Sequence, residues 1–260
     1  MKKAIGEMNK QMKNVDFIIE VLDARAPILT SNSELKKFFN QKPIIKVALK
    51  NDLSDIQDND KNNEIVFGTI KSKSFRKVII SKIEQAFETK IKSLKQKNLS
   101  NPNFIGMVVG LPNVGKSSLI NFLSLSNKLK VENRSGVTKR QSITKINNNF
   151  YLIDTPGVFF KKIDDLNDGI KLVVLNNIKR EVVNLELVLK ITYDYFLKNY
   201  SLALKKFYQM EQVLPFNEFI QYVCEKYKFK STNNELDLNR AFQFILDNFS
   251  NGLVCKFHFI

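Results

Sequence analysis

Short apolar runs alternate with amphipathic stretches through the first two-thirds of the chain. Residues 17–22 (FIIEVL) are apolar apart from Glu20 and run into Asp23. A continuous run of this length predicts a parallel strand buried on both faces. Residues 44–49 (IIKVAL) predict a second strand and residues 65–67 a short third, with a helix-compatible segment at 33–40. Over residues 81–97, apolar side chains fall at Ile83, Ala86, Phe87, Ile91 and Leu94 with lysines elsewhere, close to helical spacing. Pro102, in the polar stretch NLSNPN, marks the end of that helix. Residues 104–109 predict an apolar strand entering a glycine-rich loop, and residues 116–125 a helix. A hairpin turn at 147–149 precedes a short strand at 150–153. This alternation predicts an α/β fold, a mostly parallel sheet with helices on both faces.

After about residue 175 the period changes. Helical spacing dominates at 185–197, 202–212, 216–227 and 238–249, with Pro215 and the polar residues 231–234 at the joins. The expectation is an α/β domain over residues 1–175 and a C-terminal helical domain over 176–260, with 253–259 as a short extended tail. There is no internal repeat.

Composition narrows the function classes. No run of about 18 uncharged apolar residues is present, so a membrane-spanning helix is not expected. The first residues, MKKAIGE, lack the apolar core of a secretory leader. Cys224 and Cys255 lack CxxC spacing, which fits reduced thiols in a cytoplasmic protein and disfavours a zinc site. The formal charge of +15 points to a polyanionic partner. Residues 1–160 carry 27 basic and 14 acidic side chains, whereas residues 161–260 carry 14 and 12, so the excess lies in the first part. A Lys-, Asn-, Ile- and Phe-rich chain without Trp also fits a genome of biased base composition, and charge alone does not choose between the two.

The strongest chemical signal is Gly110-Leu111-Pro112-Asn113-Val114-Gly115-Lys116-Ser117, a GxxxxGK[ST] phosphate-binding loop between a strand and a helix. Its glycines let the backbone curl so that the N–H groups of Asn113, Val114, Gly115, Lys116, Ser117 and Ser118 face phosphate oxygens at a helix N-terminus. Lys116 would reach the β- and γ-phosphates, and the Ser117 hydroxyl would ligate Mg²⁺. Asp154-Thr155-Pro156-Gly157 follows an apolar strand; Asp154 can hold Mg²⁺, and the Gly157 N–H can meet a γ-phosphate. Between them, Gly136-Val137-Thr138 offers a threonine that can complete the Mg²⁺ shell with triphosphate bound and release it after hydrolysis.

Base selection needs an acceptor for the guanine N1–H and 2-amino group. No N-K-x-D motif follows Asp154, but the strand at 44–49 runs into Leu49-Lys50-Asn51-Asp52. Asp52 retains the guanine-reading acceptor and Lys50 can pack along the base. Leu49 stands where asparagine is usual, which predicts a looser loop.

The order base motif, phosphate loop, switch threonine, DTPG resembles the circularly permuted GTPases, and among them the ribosome biogenesis GTPase A family of YlqF type. Asp23-Ala24-Arg25-Ala26-Pro27 is similar to that family's DARxP segment, and residues 110–118, 136–138 and 154–157 match its motifs. Residues 237–259 resemble its closing D…R…A…L…G segment. The resemblance covers nearly the whole chain. It implies GTP hydrolysis stimulated by the large ribosomal subunit during its late assembly, with rRNA and ribosomal proteins as partners. It also implies Lys116, Thr138 and Gly157 as catalytic groups, a monomer in isolation, and no membrane partner.

Departures qualify the likeness. Ser135 replaces a usual proline, and Phe67-Gly68-Thr69 is a weak counterpart of the fifth GTPase motif. The family's opening aromatic-Pro-Gly-His-Met-x-Lys-Ala segment aligns with Met1-Lys2-Lys3-Ala4 only from the methionine onward. Its histidine, thought to act on the attacking water, therefore has no counterpart here. His258 is the sole histidine and lies at the other end. Val158 follows Gly157 where Ras-like proteins carry glutamine. Slow intrinsic hydrolysis is expected, and a non-catalytic GTP-sensing module is the alternative. A P-loop ATPase or kinase accounts less well for Asp52. For Phe207, Phe219, Phe242 and Phe249, core packing is expected ahead of RNA contact.

Overall fold

The computed structural model describes residues 14–33, 42–57, 62–97, 102–125, 143–154, 163 and 165–259. Most of the helix-compatible segment at 33–40 lies outside them. The chain divides into two compact units, one of residues 1–52 and 56–161, the other of 53–55 and 162–260.

The first unit is a six-stranded sheet in the order β3-β2-β1-β4-β6-β5. Its strands are β1 Phe17–Asp23, β2 Ile44–Leu49, β3 Ile65–Phe67, β4 Phe104–Gly110, β5 Ile143–Lys145 and β6 Phe150–Asp154. All neighbours are parallel except β5, which pairs antiparallel with β6 across the turn at 147–149. A hairpin can join only antiparallel strands, so the short β5 follows from that turn once β6 is in place.

Alternation along the strands sorts side chains onto two faces. Phe17, Ile19 and Val21 of β1, with Val47, Leu49, Val108, Phe150 and Leu152, form one core against two helices. These are α2 Lys73–Gln96 and α3 Lys116–Leu123, which pack on the same face. A four-residue helix, α1 Pro27–Thr30, follows β1. The opposite face carries Ile18, Met107, Val109, Ile143 and Ile153. Helix α2 begins earlier than residue 81 because Phe75 and Ile79 continue the buried stripe of Ile83 and Phe87.

The second unit contains α4 Leu166–Val174, α5 Leu185–Tyr208, α6 Phe216–Lys226 and α7 Leu238–Ser250. Side chains cap three of them: Asp165 accepts from Asn167 N and Asp168 N, Asn184 from Leu187 N, and Asp237 from Arg240 N. The expected break between residues 197 and 202 is a kink at Tyr200 (φ −137°, ψ 33°) inside one continuous helix. Periodicity alone cannot separate a kink from a loop, because both shift the phase of the apolar stripe. Phe219 and Phe249 are fully buried and Phe242 nearly so, whereas Phe207 is half-buried. Tyr193 stacks on Phe219 at 4.4 Å, and Phe196 meets Phe249 at 4.2 Å.

The family-like closing segment has structural work in this unit. Asp237 caps α7, Arg240 lies over the Phe229 ring at 4.9 Å, and Ala241 and Leu246 are buried. The tail then returns to residues 53–55. Phe257 N donates to Leu53 O (3.1 Å), His258 Nδ1 lies 2.8 Å from Asp55 Oδ1, and Tyr200 Oη donates to Asp55 Oδ2 (2.8 Å). Burial first, then the hydrogen bond to Asp55, pushes the Tyr200 phenol well above its ordinary value, so it remains a donor. Among the described residues, no helix is long and apolar enough to cross a membrane.

Phe87 is the hinge of the aromatic cluster under the sheet, with ring centroids 4.4 Å from Phe104, 5.5 Å from Phe150 and 5.6 Å from Phe17. Phe87→Ala should cost about 3–5 kcal/mol in urea unfolding. A loss under about 1 kcal/mol would contradict this packing.

Candidate nucleotide-binding site

The sheet order creates the site. Connections from β1 run outward to β2 and β3, whereas the chain reaches β4 on the other side of β1. Ligands of open α/β sheets sit outside the carboxyl ends of the strands where the order reverses in this way. Three segments meet at this end: Asp23 closes β1, Lys50 and Asp52 follow β2, and the glycine loop follows β4.

The loop has the backbone that its residue types allow. Gly110 (φ +151°) sits where a Cβ would be 2.5 Å from the Val21 carbonyl oxygen, and Gly115 has φ +109°. Asn113 takes φ 55°, a left-handed conformation that asparagine tolerates better than most residues. Gly115 is the N-cap of α3, so the free N–H groups of the first turn open toward the loop. Lys116 Nζ donates back to the carbonyls of Gly110 (3.1 Å) and Leu111 (2.7 Å). Val114 is buried, whereas Ser117 and Ser118 are exposed in that first turn.

The base loop is tied to the phosphate loop by two contacts. Lys50, at φ 62°, directs its ammonium to the Asn113 carbonyl at 3.5 Å. Leu49 is buried, and a Cβ on Gly115 would lie 2.9 Å from its Cδ1. At the position usual for asparagine, this chain thus has an apolar contact with the phosphate loop.

Asp52 accepts from Lys71 Nζ at 2.6 Å. Partial burial raises its carboxyl pKa, but the Lys71 hydrogen bond and charge, its own backbone N–H and the Thr69 hydroxyl bring it below the ordinary value. Asp52 is therefore an ionised acceptor. Gly68 N donates to Ala48 O (3.0 Å), and Asn51 N to Gly68 O (3.3 Å), so the segment 67–69 lies against the base loop. Lys71 had no signal in the sequence, because one lysine among so many carries no pattern.

In the sequence Asp23 stands at the end of the first apolar run and opens the family-like DARxP segment. It is fully buried, as is Arg25. Arg25 grips it bidentately, Nε to Oδ1 at 2.9 Å and Nη2 to Oδ2 at 2.8 Å, while Lys50 Nζ donates to Oδ2 at 3.0 Å. Burial pushes the Asp23 carboxyl up; hydrogen bonding to Arg25, with the charges of Arg25 and Lys50, outweighs that and holds it below the ordinary range.

Asp154 ends β6, its backbone in register with Val108 of β4. Its side chain lies outside the described residues, as do Thr138 and Gly157 in full.

Residues 106–216 match the family model described as 50S ribosome-binding GTPase. The match opens inside the β4 strand and leaves Lys50 and Asp52 upstream of it, in keeping with the permuted order. The Mycoplasma pneumoniae protein named "Probable ribosome biogenesis GTPase A" is 41% identical over 265 residues, spanning 100% of this chain and 93% of the relative. The chain belongs to the ribosome biogenesis GTPase A family. The Mycoplasma genitalium protein of the same name is 39% identical over 258 residues, 97% of this chain and 91% of its own. "Ribosome biogenesis GTPase A" of Bacillus licheniformis is 28% identical over 222 residues, 82% and 78% of the two chains. Two solved structures share the fold at 20% identity. GNP-bound YlqF from T. maritima has a TM-score of 0.70 over 99% of this chain and 97% of its own. GDP-bound TM YlqF has 0.67 over 98% of each. As a member of this ribosome-assembly family, the chain binds GTP and is a GTPase.

The loop geometry predicts an asymmetry between neighbouring substitutions. Gly115→Ala should destabilise the chain by about 1–3 kcal/mol, because it strains a positive φ and presses on Leu49. Ser117→Ala, on an exposed side chain, should stay within about 0.5 kcal/mol. Urea unfolding of the two variants checks this, and equal losses would contradict the loop conformation.

Proposed function

We propose that this GTPase acts in late assembly of the large ribosomal subunit, hydrolysing GTP to GDP and phosphate while bound to that particle. The match of residues 106–216 to a family described by its binding to the 50S ribosome carries this reading. A net charge of +15 supports it, since a cationic surface gains affinity for RNA by releasing counterions from the phosphate backbone. The partners are rRNA and ribosomal proteins, with the helical domain of residues 176–260 docked on rRNA.

In this reading Asp52 accepts from the guanine N1–H and 2-amino group, exchanging Lys71 for the base. Lys50 lies along the base. The N–H groups of residues 113–118 surround the phosphates, and Lys116 exchanges its two loop carbonyls for β- and γ-phosphate oxygens. The γ-phosphate is further met by the Gly157 N–H.

The donor set fits Mg²⁺. That ion keeps several waters and takes few protein ligands beside substrate phosphates, so one exposed hydroxyl at the start of α3 suffices as an anchor. Ser117 is that hydroxyl, with Thr138 and Asp154 as the other holding residues. What Mg²⁺ supplies when bound is neutralisation of charge on the β- and γ-oxygens. Ser117, Lys116 and the loop amides orient the triphosphate, which is the larger part of phosphoryl-transfer catalysis.

Positioning of water is left to the assembled particle. The Val158 side chain has no hydrogen-bonding atom, and His258 is engaged by Asp55. Intrinsic turnover is accordingly slow. The segments carrying Thr138 and Gly157 lie in the chain between the phosphate loop and the helical unit, so triphosphate-dependent ordering of them would be passed along the backbone.

Two measurements follow. Purified large subunits should raise the single-turnover GTPase rate by about 100-fold or more, the scale on which a positioned acid–base group contributes. The chain should also bind large subunits more tightly with a non-hydrolysable GTP analogue than with GDP. Equal affinities, or fast hydrolysis by the isolated chain, would contradict the proposal.

A further inference from the structure

The Asp23–Arg25 pair is a buried ion pair with no part in the phosphate chemistry described above. Such pairs add little net stability in general, so their geometry invites a functional explanation. Here one carboxylate oxygen, Oδ2, is shared between Arg25 Nη2 (2.8 Å) and Lys50 Nζ (3.0 Å). Lys50 is half-exposed and flexible by type, yet its ammonium is held between Asp23 and the Asn113 carbonyl. The backbone of Asp23 is itself fixed: its N–H meets Thr30 Oγ1 (3.1 Å), and Thr30 Oγ1 donates to Ala26 O (2.7 Å). The neighbouring Ala24 N–H reaches Leu49 O (2.8 Å). These contacts come from β1, from the residues just beyond it and from the end of the neighbouring β2, between the base loop and the phosphate loop.

We infer that Asp23 is the positioning residue of the guanine site, with Arg25 aiming its carboxylate so that Lys50 lies fixed across the gap between the base loop and the phosphate loop. The asparagine that would join those loops by an amide is Leu49 in this chain, which supplies packing but no directional bond. The Asp23–Lys50–Asn113 relay supplies the direction. This inference rests on the reading of Lys50 and Asp52 as the guanine site.

The consequence is selective. Loss of the Asp23 carboxylate should weaken the hold on the base and leave the phosphate loop intact. Asp23→Asn removes the charge but leaves the Arg25 guanidinium buried without the Asp23 carboxylate. A second variant, Asp23→Leu with Arg25→Met, removes both charges and keeps apolar volume in the core. Each is compared in the otherwise native chain and with Lys50→Met. The probes are GDP and ribose 5′-triphosphate, which has no base.

The expected result is an approximately tenfold loss of GDP affinity, the scale of one charge-assisted hydrogen bond, in both variants. Ribose 5′-triphosphate affinity should be unchanged, and the GDP loss should vanish when Lys50→Met is already present. Unchanged GDP affinity would overturn the inference. So would an equal loss on the base-free probe, or the same loss with and without Lys50, each of which marks a merely structural role. Failure of the guanine-site reading itself would show differently, as a native chain with no preference for GDP over ADP.

Discussion

Strand β1 is hydrogen-bonded on both sides, to β2 through residues 18–23 and to β4 through residues 17–21. That double pairing is the constraint on which the site depends. It brings a loop that starts at Lys50 and a loop that starts at Gly110 to the same end of one sheet, although Lys50 and Asn113 are 63 residues apart. Parallel pairing also makes all three carboxyl ends point the same way. A base-reading segment that precedes its phosphate loop in sequence can then serve the same nucleotide as one that follows it. Order along the chain is free to change provided that β1, β2 and β4 keep their neighbours.

Close packing secures the arrangement. Residues 17, 19 and 21 of β1 press on the Phe87 and Phe150 side of the core, and Gly110 must lack a side chain because Val21 O is there. Leu49 fills the hollow above Gly115. The charges of Asp23 and Arg25 are buried between these contacts and satisfy one another. Beyond Asp52 the chain leaves the sheet unit at once: residues 53–55 belong with the helical unit, held by Phe257, His258 and Tyr200.

Much of this was legible in the sequence, for physical reasons that differ by element. The strands at 17–23, 44–49, 65–67 and 104–110 could be read because each is a short apolar run stopped by a polar or glycine residue. The glycine loop could be read because its conformation admits so few residue types. Helix α4 was not anticipated, since Leu166–Val174 is brief and adjoins a stretch without clear period. The kink at Tyr200 was hidden because a kink and a loop shift the apolar stripe alike, whereas the early start of α2 is encoded in the four-residue spacing of Phe75, Ile79, Ile83 and Phe87. At the site, Lys50 and Asp52 were legible through their place after a strand. The direction of Lys50 was not, because it is set by Asp23 at the end of a different strand and by Arg25 just beyond it. The apolar role of Leu49 was hidden for the same reason: the residue it packs on is Gly115, 66 positions away in the chain.

The guanine reading requires that the upstream loop at residues 50–52 read the base of a nucleotide whose phosphates are held by the downstream loop at residues 110–117. Nucleotide competition with Asp52→Asn measures this most directly. Xanthine carries a carbonyl oxygen where guanine carries its 2-amino group, so an amide at position 52 can donate to xanthine but loses one acceptor for guanine. The variant should bind XTP more tightly than GTP, reversing the preference of the native chain. An Asp52→Asn chain that still prefers GTP would contradict the account.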